Sequence, residues 1–191
     1  MKKEASDLSA RERIVTTADR LFYGRGIANV GMDLVRDEAQ VSLRALYKEF
    51  QSKEDLIIAV LARRHQLWTD GVESKVNESV DPERRLLAMY DYLVDWFEEG
   101  DFRGCGFINA FGELGGANSR VADAVRLHKR SFQAFVDRLV AEAGGPPALG
   151  PQLAILAEGA QTTAAIAGAP DAALVARQAA ETLIEAAKAR G

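Results

Sequence analysis

From Val121 to Val140 apolar side chains recur at three- and four-residue intervals. Val121, Ala124, Val125, Phe132, Phe135, Val136, Leu139 and Val140 carry the stripe, and His128 lies on it. That period lays one apolar face along an α-helix over residues 119–143, whereas a half-buried strand would need strict alternation. Gly144-Gly145-Pro146-Pro147 ends the run, since proline lacks the N–H a continuing helix needs. No other stretch alternates over the length of a strand, and no internal repeat is visible. The expected fold class is all-α, with about nine helices.

The front of the chain is punctuated finely. Ser9 and Glu12 have the spacing of a capping box, and Ile14, Val15, Ala18, Leu21 and Phe22 follow at helical spacing until Gly24 and Gly26. Leu34, Val35 and Ala39 then give a short helix an apolar side. Gln40-Val41 makes a bend, Ser42 can cap a new start, and Leu46, Tyr47 and Phe50 form a second short stripe. Two short helices across a tight turn outline a helix-turn-helix, whose second helix can lie in a DNA major groove.

Ser52-Lys53-Glu54-Asp55 is another start signal, and Leu56, Ile57, Val60, Leu61, Leu67 and Trp68 mark a helix running to about residue 78, roughly 37 Å long. Asp81-Pro82-Glu83 caps the next, which carries Leu86, Leu87, Tyr90, Leu93, Val94 and Phe97 and stops at Gly100. Residues 100–118, with six glycines and three phenylalanines, are either irregular or a short helix. Two alanine-rich helices follow the 119–143 stripe, over 151–167 and 171–189, divided by Gly168-Ala169-Pro170. Their small side chains either reflect alanine's helix propensity alone or form a surface that pairs with a symmetry copy as a four-helix bundle.

Composition narrows the function. A chain of 191 residues, 48% hydrophobic and 27% charged, can bury roughly 70% of its unfolded surface. The net charge of −4 is unevenly spread: residues 1–65 hold 12 basic against 10 acidic side chains, and the remainder 12 against 18. A slightly basic front on an acidic body suits contact with nucleic acid at one end. Met1–Asp7 has no apolar run behind its lysines, so no signal peptide is expected, and no 18-residue apolar run suggests a membrane span. The single Cys105 fits a reducing cytoplasm. Cys105, His65 and His128 make no metal-ligand pattern, and Gly104, Gly106, Gly112, Gly115 and Gly116 follow no strand that would make them a nucleotide loop. Neither a cofactor nor a metal is expected, and enzyme chemistry finds little support.

Residues 11–60 resemble the TetR family of bacterial transcriptional repressors. The elements are Leu21-Phe22-Tyr23-Gly24-Arg25-Gly26-Ile27, Glu38-Ala39-Gln40-Val41-Ser42, Leu46-Tyr47-Lys48-Glu49-Phe50 and Ser52-Lys53-Glu54-Asp55-Leu56, at that family's offsets. Phe102-Arg103-Gly104-Cys105-Gly106-Phe107 is similar to an element in one of its branches. The resemblance implies a three-helix DNA-binding domain (9–52), a helical ligand-binding and dimerisation domain (53–190), and pairing through the last two helices. It implies a recognition helix over 42–48, with Leu43, Arg44 and Ala45 at base edges: Arg44 suits guanine, and Leu43 or Ala45 a thymine methyl. Tyr47 and Lys53 match phosphate-contacting positions, Ser42 is a cap or a phosphate donor, and Lys48 is either a DNA contact or a solvated charge. Four positions depart from the pattern: Gln40 replaces a turn glycine, Gly31 and Ala45 replace threonines, and Glu49 replaces a frequent histidine.

The expected effector is a small, hydrophobic molecule held by aromatic and apolar side chains with a few polar groups. Trp68, Tyr92, Trp96, Phe107, Asn109, Phe111, Glu113, His128, Phe132 and Gln161 are the candidates, with core packing the competing explanation for each aromatic. The expectation is a cytoplasmic homodimeric repressor on a palindromic double-stranded operator. The alternative is a helical small-molecule-binding or interaction module with weak or lost DNA binding, which Glu49 and the low basic charge favour.

Overall fold

A computed structural model describes residues 8–189; the segment Met1–Asp7 and the last residue of the expected 53–190 domain lie outside them. Nine helices and no strand occur among the described residues: α1 Ala10–Arg25, α2 Met32–Ala39, α3 Leu43–Glu49, α4 Lys53–Val76, α5 Pro82–Phe97, α6 Gly106–Leu114, α7 Ser119–Glu142, α8 Leu149–Ala167 and α9 Ala172–Lys188. None is long and apolar enough to cross a membrane.

Helix ends follow local chemistry. The capping box of α1 is complete: the Ser9 N–H donates to Glu12 Oε2 at 2.8 Å, and the Glu12 N–H donates to Ser9 Oγ at 3.2 Å. Gly26 closes that helix at φ 84°, where a Cβ would be strained. Asp81 Oδ1 accepts the N–H groups of Glu83 and Arg84 at 3.1 and 2.9 Å ahead of Pro82. The Ser52 signal works differently from a capping box. The Asp55 N–H donates to Ser52 Oγ at 3.1 Å, but the Asp55 carboxylate takes the serine hydroxyl (2.7 Å) instead of the Ser52 N–H. α8 starts at Leu149, two residues before the expected 151, which puts Pro151 in the first turn where its missing N–H costs nothing.

The open choice over residues 100–118 resolves into α6. Gly104 precedes it at φ 80°, and a Cβ there would come within 2.8 Å of the Ala165 Cβ, so both backbone and space require glycine.

The chain forms two compact units. The first comprises the described residues through Gln66 together with Gly106–Arg126; the second comprises Leu67–Cys105 together with the described residues from Leu127 onward. Besides α1 to α3 the first unit holds α6 and the starts of α4 and α7; Leu56, Ile57, Val60 and Leu61 of α4 and Val121 of α7 are buried. Within it α1 packs on α2 and α3 around Ile14, Ala18, Leu21, Val30, Val35 and Leu46. The buried Asp19 carboxylate accepts from Arg63 Nη1 (2.8 Å) and from Arg64 Nε, and the Arg64 guanidinium lies 3.8 Å from the centre of the Tyr23 ring.

In the second unit α5 packs on α8 and α9, which also pack on each other. Tyr90, Leu86, Met89, Leu93, Leu139 and Leu153 form its centre. The Tyr90 hydroxyl donates to the Leu153 carbonyl at 2.7 Å, and burial raises its pKa well above that of a free phenol.

Candidate nucleic-acid interface

The recognition helix is short, so its exposed face depends on how its ends and back are held. Ser42 Oγ accepts the Ala45 N–H at 3.1 Å and starts α3, while Leu46 and Phe50 sink behind it into the first unit's core. What remains outside is Ser42, Leu43, Arg44, Tyr47 and Lys48, with Ala45 half-buried among them. Leu43 and Tyr47 are 45% and 46% exposed, unusually open for side chains of that size. Arg44 and Lys48 pair with no acidic side chain among the described residues. Glu49 is answered: its carboxylate lies 3.6 Å from Arg11, whose guanidinium stands 4.5 Å from the centre of the Phe50 ring. The face left to solvent is thus cationic and apolar together, the combination that meets phosphates and base edges.

The turn before α3 carries backbone strain. Gln40 sits at φ 53°, ψ 49°, the left-handed region, with its N–H directed at the carbonyls of Arg36 and Asp37. α2 itself starts at Gly31 with no side-chain cap. Arg20 pairs with Glu38 at 2.8 Å and ties α1 to α2.

Lys53, expected at a phosphate, is half-buried. Its Nζ donates to the Ile27 carbonyl at 2.6 Å and lies 6.0 Å from the centre of the Phe22 ring. Burial pushes its pKa down, and the nearby Glu113 carboxylate partly opposes this. Glu113, proposed from sequence as an effector contact, accepts the N–H groups of Ile27 and Ala28 at 3.0 and 2.8 Å. Sequence reasoning missed this role, since 86 and 85 residues separate the partners and no local pattern announces them. Beside the turn, Phe22, Ile27, Ile57, Val60, Ala110 and neighbouring residues bound a cavity of about 190 Å³, with Asn109 and Glu113 on its wall.

The ten effector candidates divide between the units. Phe107, Asn109, Phe111 and Glu113 belong to the first, where Phe107 is buried and Phe111 is 44% exposed. The other six belong to the second. Trp68 meets Tyr92, His128 and Phe132 edge-on at 6.3, 5.4 and 5.1 Å between ring centres. Tyr92 stacks on Trp96 at 6.4 Å, as their four-residue spacing implies. Gln161 is buried, and its amide nitrogen donates to Ala157 O at 3.3 Å. Phe97 and Phe102, absent from the sequence-derived set, extend the aromatic group beyond Trp96, with Trp96 and Phe102 5.2 Å apart.

On the last two helices the alanines and the large side chains have separate places. Ala154, Ala157, Ala160, Ala164, Ala176 and Ala180 are buried within the chain's own fold. Ile155, Ile166 and Val175 stand out at 71%, 83% and 62% exposure, and Ile155 and Val175 flank an apolar groove of about 510 Å³.

Comparison with known proteins bears on this arrangement. Residues 14–60 match the family model described as bacterial regulatory proteins, tetR family. The transcriptional activator FasR of Mycolicibacterium smegmatis is 34% identical over 88 residues, 46% of this chain and 40% of that protein. The transcriptional repressor NemR of Escherichia coli K12 is 30% identical over 100 residues, 50% of this chain and 49% of that protein. The matches thus span less than half the length of these curated relatives. A solved TetR-family transcriptional regulator from Streptomyces coelicolor superposes with a TM-score of 0.87 at 31% identity, covering 93% of this chain and 89% of the other.

Proposed function

The chain belongs to the TetR family of transcriptional regulators, whose members are not enzymes, and on that premise we propose that it is a homodimeric repressor of a palindromic operator. The observation that carries this is the outer face of α3: Arg44 and Lys48 with no acidic partner among the described residues, Leu43 and Tyr47 open to solvent, and Leu46 fixing the helix from behind. Arg44 reads a guanine, Leu43 and Ala45 meet thymine methyls, and Ser42, Tyr47, Lys48 and Lys53 hold phosphates. Two copies pair through α8 and α9, where Ile155, Ile166 and Val175 supply apolar surface, and so present two α3 helices about 34–36 Å apart. A small hydrophobic effector is held by the aromatic group around Trp68, Tyr92, Trp96, His128 and Phe132. It releases the operator by tilting α4, which requires ~1–3 kcal/mol tighter binding to the DNA-incompetent state. The cytoplasm is the proposed location.

The test is to let the full chain select duplexes from a random-sequence pool and to measure affinity for the selected duplex against salt. A steep negative slope is expected from released counterions. Arg44→Ala should relax preference at one base pair, and Lys48→Ala should weaken all sequences alike. A chain that selects no duplex and shows no salt-dependent binding would be the interaction module that the net charge of −4 also allows. A reporter gene behind the selected duplex gives the sign: expression should fall when the chain is present.

A further inference from the structure

We propose that Glu113 is a positioning residue for the DNA-facing surface: from α6 it locks the α1–α2 turn and through it sets the pose of α2 and α3. The inference rests on reading α3 as the DNA contact. In the turn, the Gly26 N–H returns to Phe22 O and the Val30 N–H to Ile27 O, but the Ile27 and Ala28 N–H groups go to the two oxygens of the Glu113 carboxylate. Two adjacent peptide planes are therefore fixed by one charged acceptor, a stronger arrangement than two neutral hydrogen bonds. Lys53 Nζ donates to the Ile27 carbonyl at 2.6 Å, a third hydrogen bond on the same turn.

Beyond the turn, the directional anchor of α2 on α1 is the solvent-exposed Arg20–Glu38 pair at 2.8 Å, which water screens. Gly31 gives α2 no side-chain cap, and Val35 and Ala39 seat it by apolar contact, which tolerates sliding. The cavity of about 190 Å³ beside Ile27 leaves room for the turn to relax once the carboxylate lets go. Glu113 thus acts on the turn that leads into α2, at Ile27 and Ala28, and not on the first turn of the helix, which starts at Met32. A role as an effector contact alone would leave the turn indifferent to its replacement.

The test uses the full chain as wild type, Glu113→Gln and Glu113→Asp. The glutamine can accept at one oxygen only; the aspartate keeps the charge but is one methylene shorter. Amide hydrogen exchange should accelerate about tenfold in Glu113→Gln at Ile27, Ala28 and through α2 and α3, with α1 and the second unit unchanged and the aspartate intermediate. The variant should bind the duplex selected by the wild-type chain about tenfold more weakly, equivalent to roughly 1.4 kcal/mol. Acceleration confined to Ile27 and Ala28, or spread evenly over the whole chain, overturns the proposal, as does unchanged duplex affinity. If the wild-type chain selects no duplex, the repressor reading fails on its own, and the exchange pattern alone decides whether Glu113 sets α2 and α3.

Discussion

Gln40→Gly is expected to stabilise the protein, and the size of the gain can be worked from one dihedral pair. Gln40 is the only non-glycine residue with positive φ among the described residues. At φ 53°, ψ 49° its Cβ crowds the following carbonyl, at a cost of about 1–2 kcal/mol. Glycine removes that crowding but gives up about 0.5–1 kcal/mol of extra backbone entropy on folding. The side chain is exposed and bonds to none of the described residues, while the N–H bonds to Arg36 and Asp37 do not depend on residue type. The difference is a gain of about 0–1.5 kcal/mol, whose midpoint corresponds to a rise in Tm of about 1.5–3 °C for a chain of this size. Both tryptophans, Trp68 and Trp96, belong to the second unit, so helical circular dichroism and exchange at α2 and α3 amides are the appropriate signals. Gln40→Ala is the control, because it keeps the Cβ and should bring no gain. If glycine lowers stability, or alanine matches it, relief of the left-handed conformation is not the cause.

Asp19→Ala leaves the Arg63 and Arg64 guanidiniums facing a buried gap. Both arginines reach solvent in part, so a loss of about 2–3 kcal/mol in urea unfolding is expected, below the 3–5 typical of a fully buried pair. Gly104→Ala meets both a positive φ and the Ala165 Cβ, and should cost about 2–4 kcal/mol, part of it recovered when Ala165→Gly is added. Tyr90→Phe removes a buried donor from a Leu153 carbonyl that belongs to α8, for a loss of about 0.5–1.5 kcal/mol in the free energy of urea unfolding. Asp55 is held below the ordinary carboxylate range, first by the Ser52 hydroxyl and then by Arg120. Its contribution is therefore full above its unfolded pKa and is lost as pH falls through the lower, folded value. The stability gap between wild type and Asp55→Asn should be widest near pH 7 and narrow from about pH 4 downward.

Signals that act within a few residues were legible. Ser9 with Glu12, Asp81 with Pro82, and Gly168 after Ala167 mark helix ends because capping partners are near in sequence, and the left-handed demand on Gln40 follows from its place in the turn. The spacing of Tyr92 and Trp96 was enough to put them on one face. What distance in sequence conceals is tertiary. α6 is glycine-rich with little helix propensity of its own, so its existence could not be decided from composition. Asp19 meets Arg63 and Arg64 across 44 and 45 residues, and Glu113 reaches the α1–α2 turn across 86. Period alone also left the alanines of α8 and α9 with two uses, and only packing distinguishes those turned into the fold from the bulkier neighbours turned out.

That division of labour on the last two helices has an evolutionary consequence. Ala157 and Ala164 are buried within one copy's fold, whereas Ile155, Ile166 and Val175 are exposed and, in the pairing proposed above, are what a second copy would meet. A duplicated gene can therefore drift at the outer positions and acquire a private partner while its inner ones stay under purifying constraint. Under that pairing, homologues sharing one cell avoid mixed assemblies with no penalty to either fold.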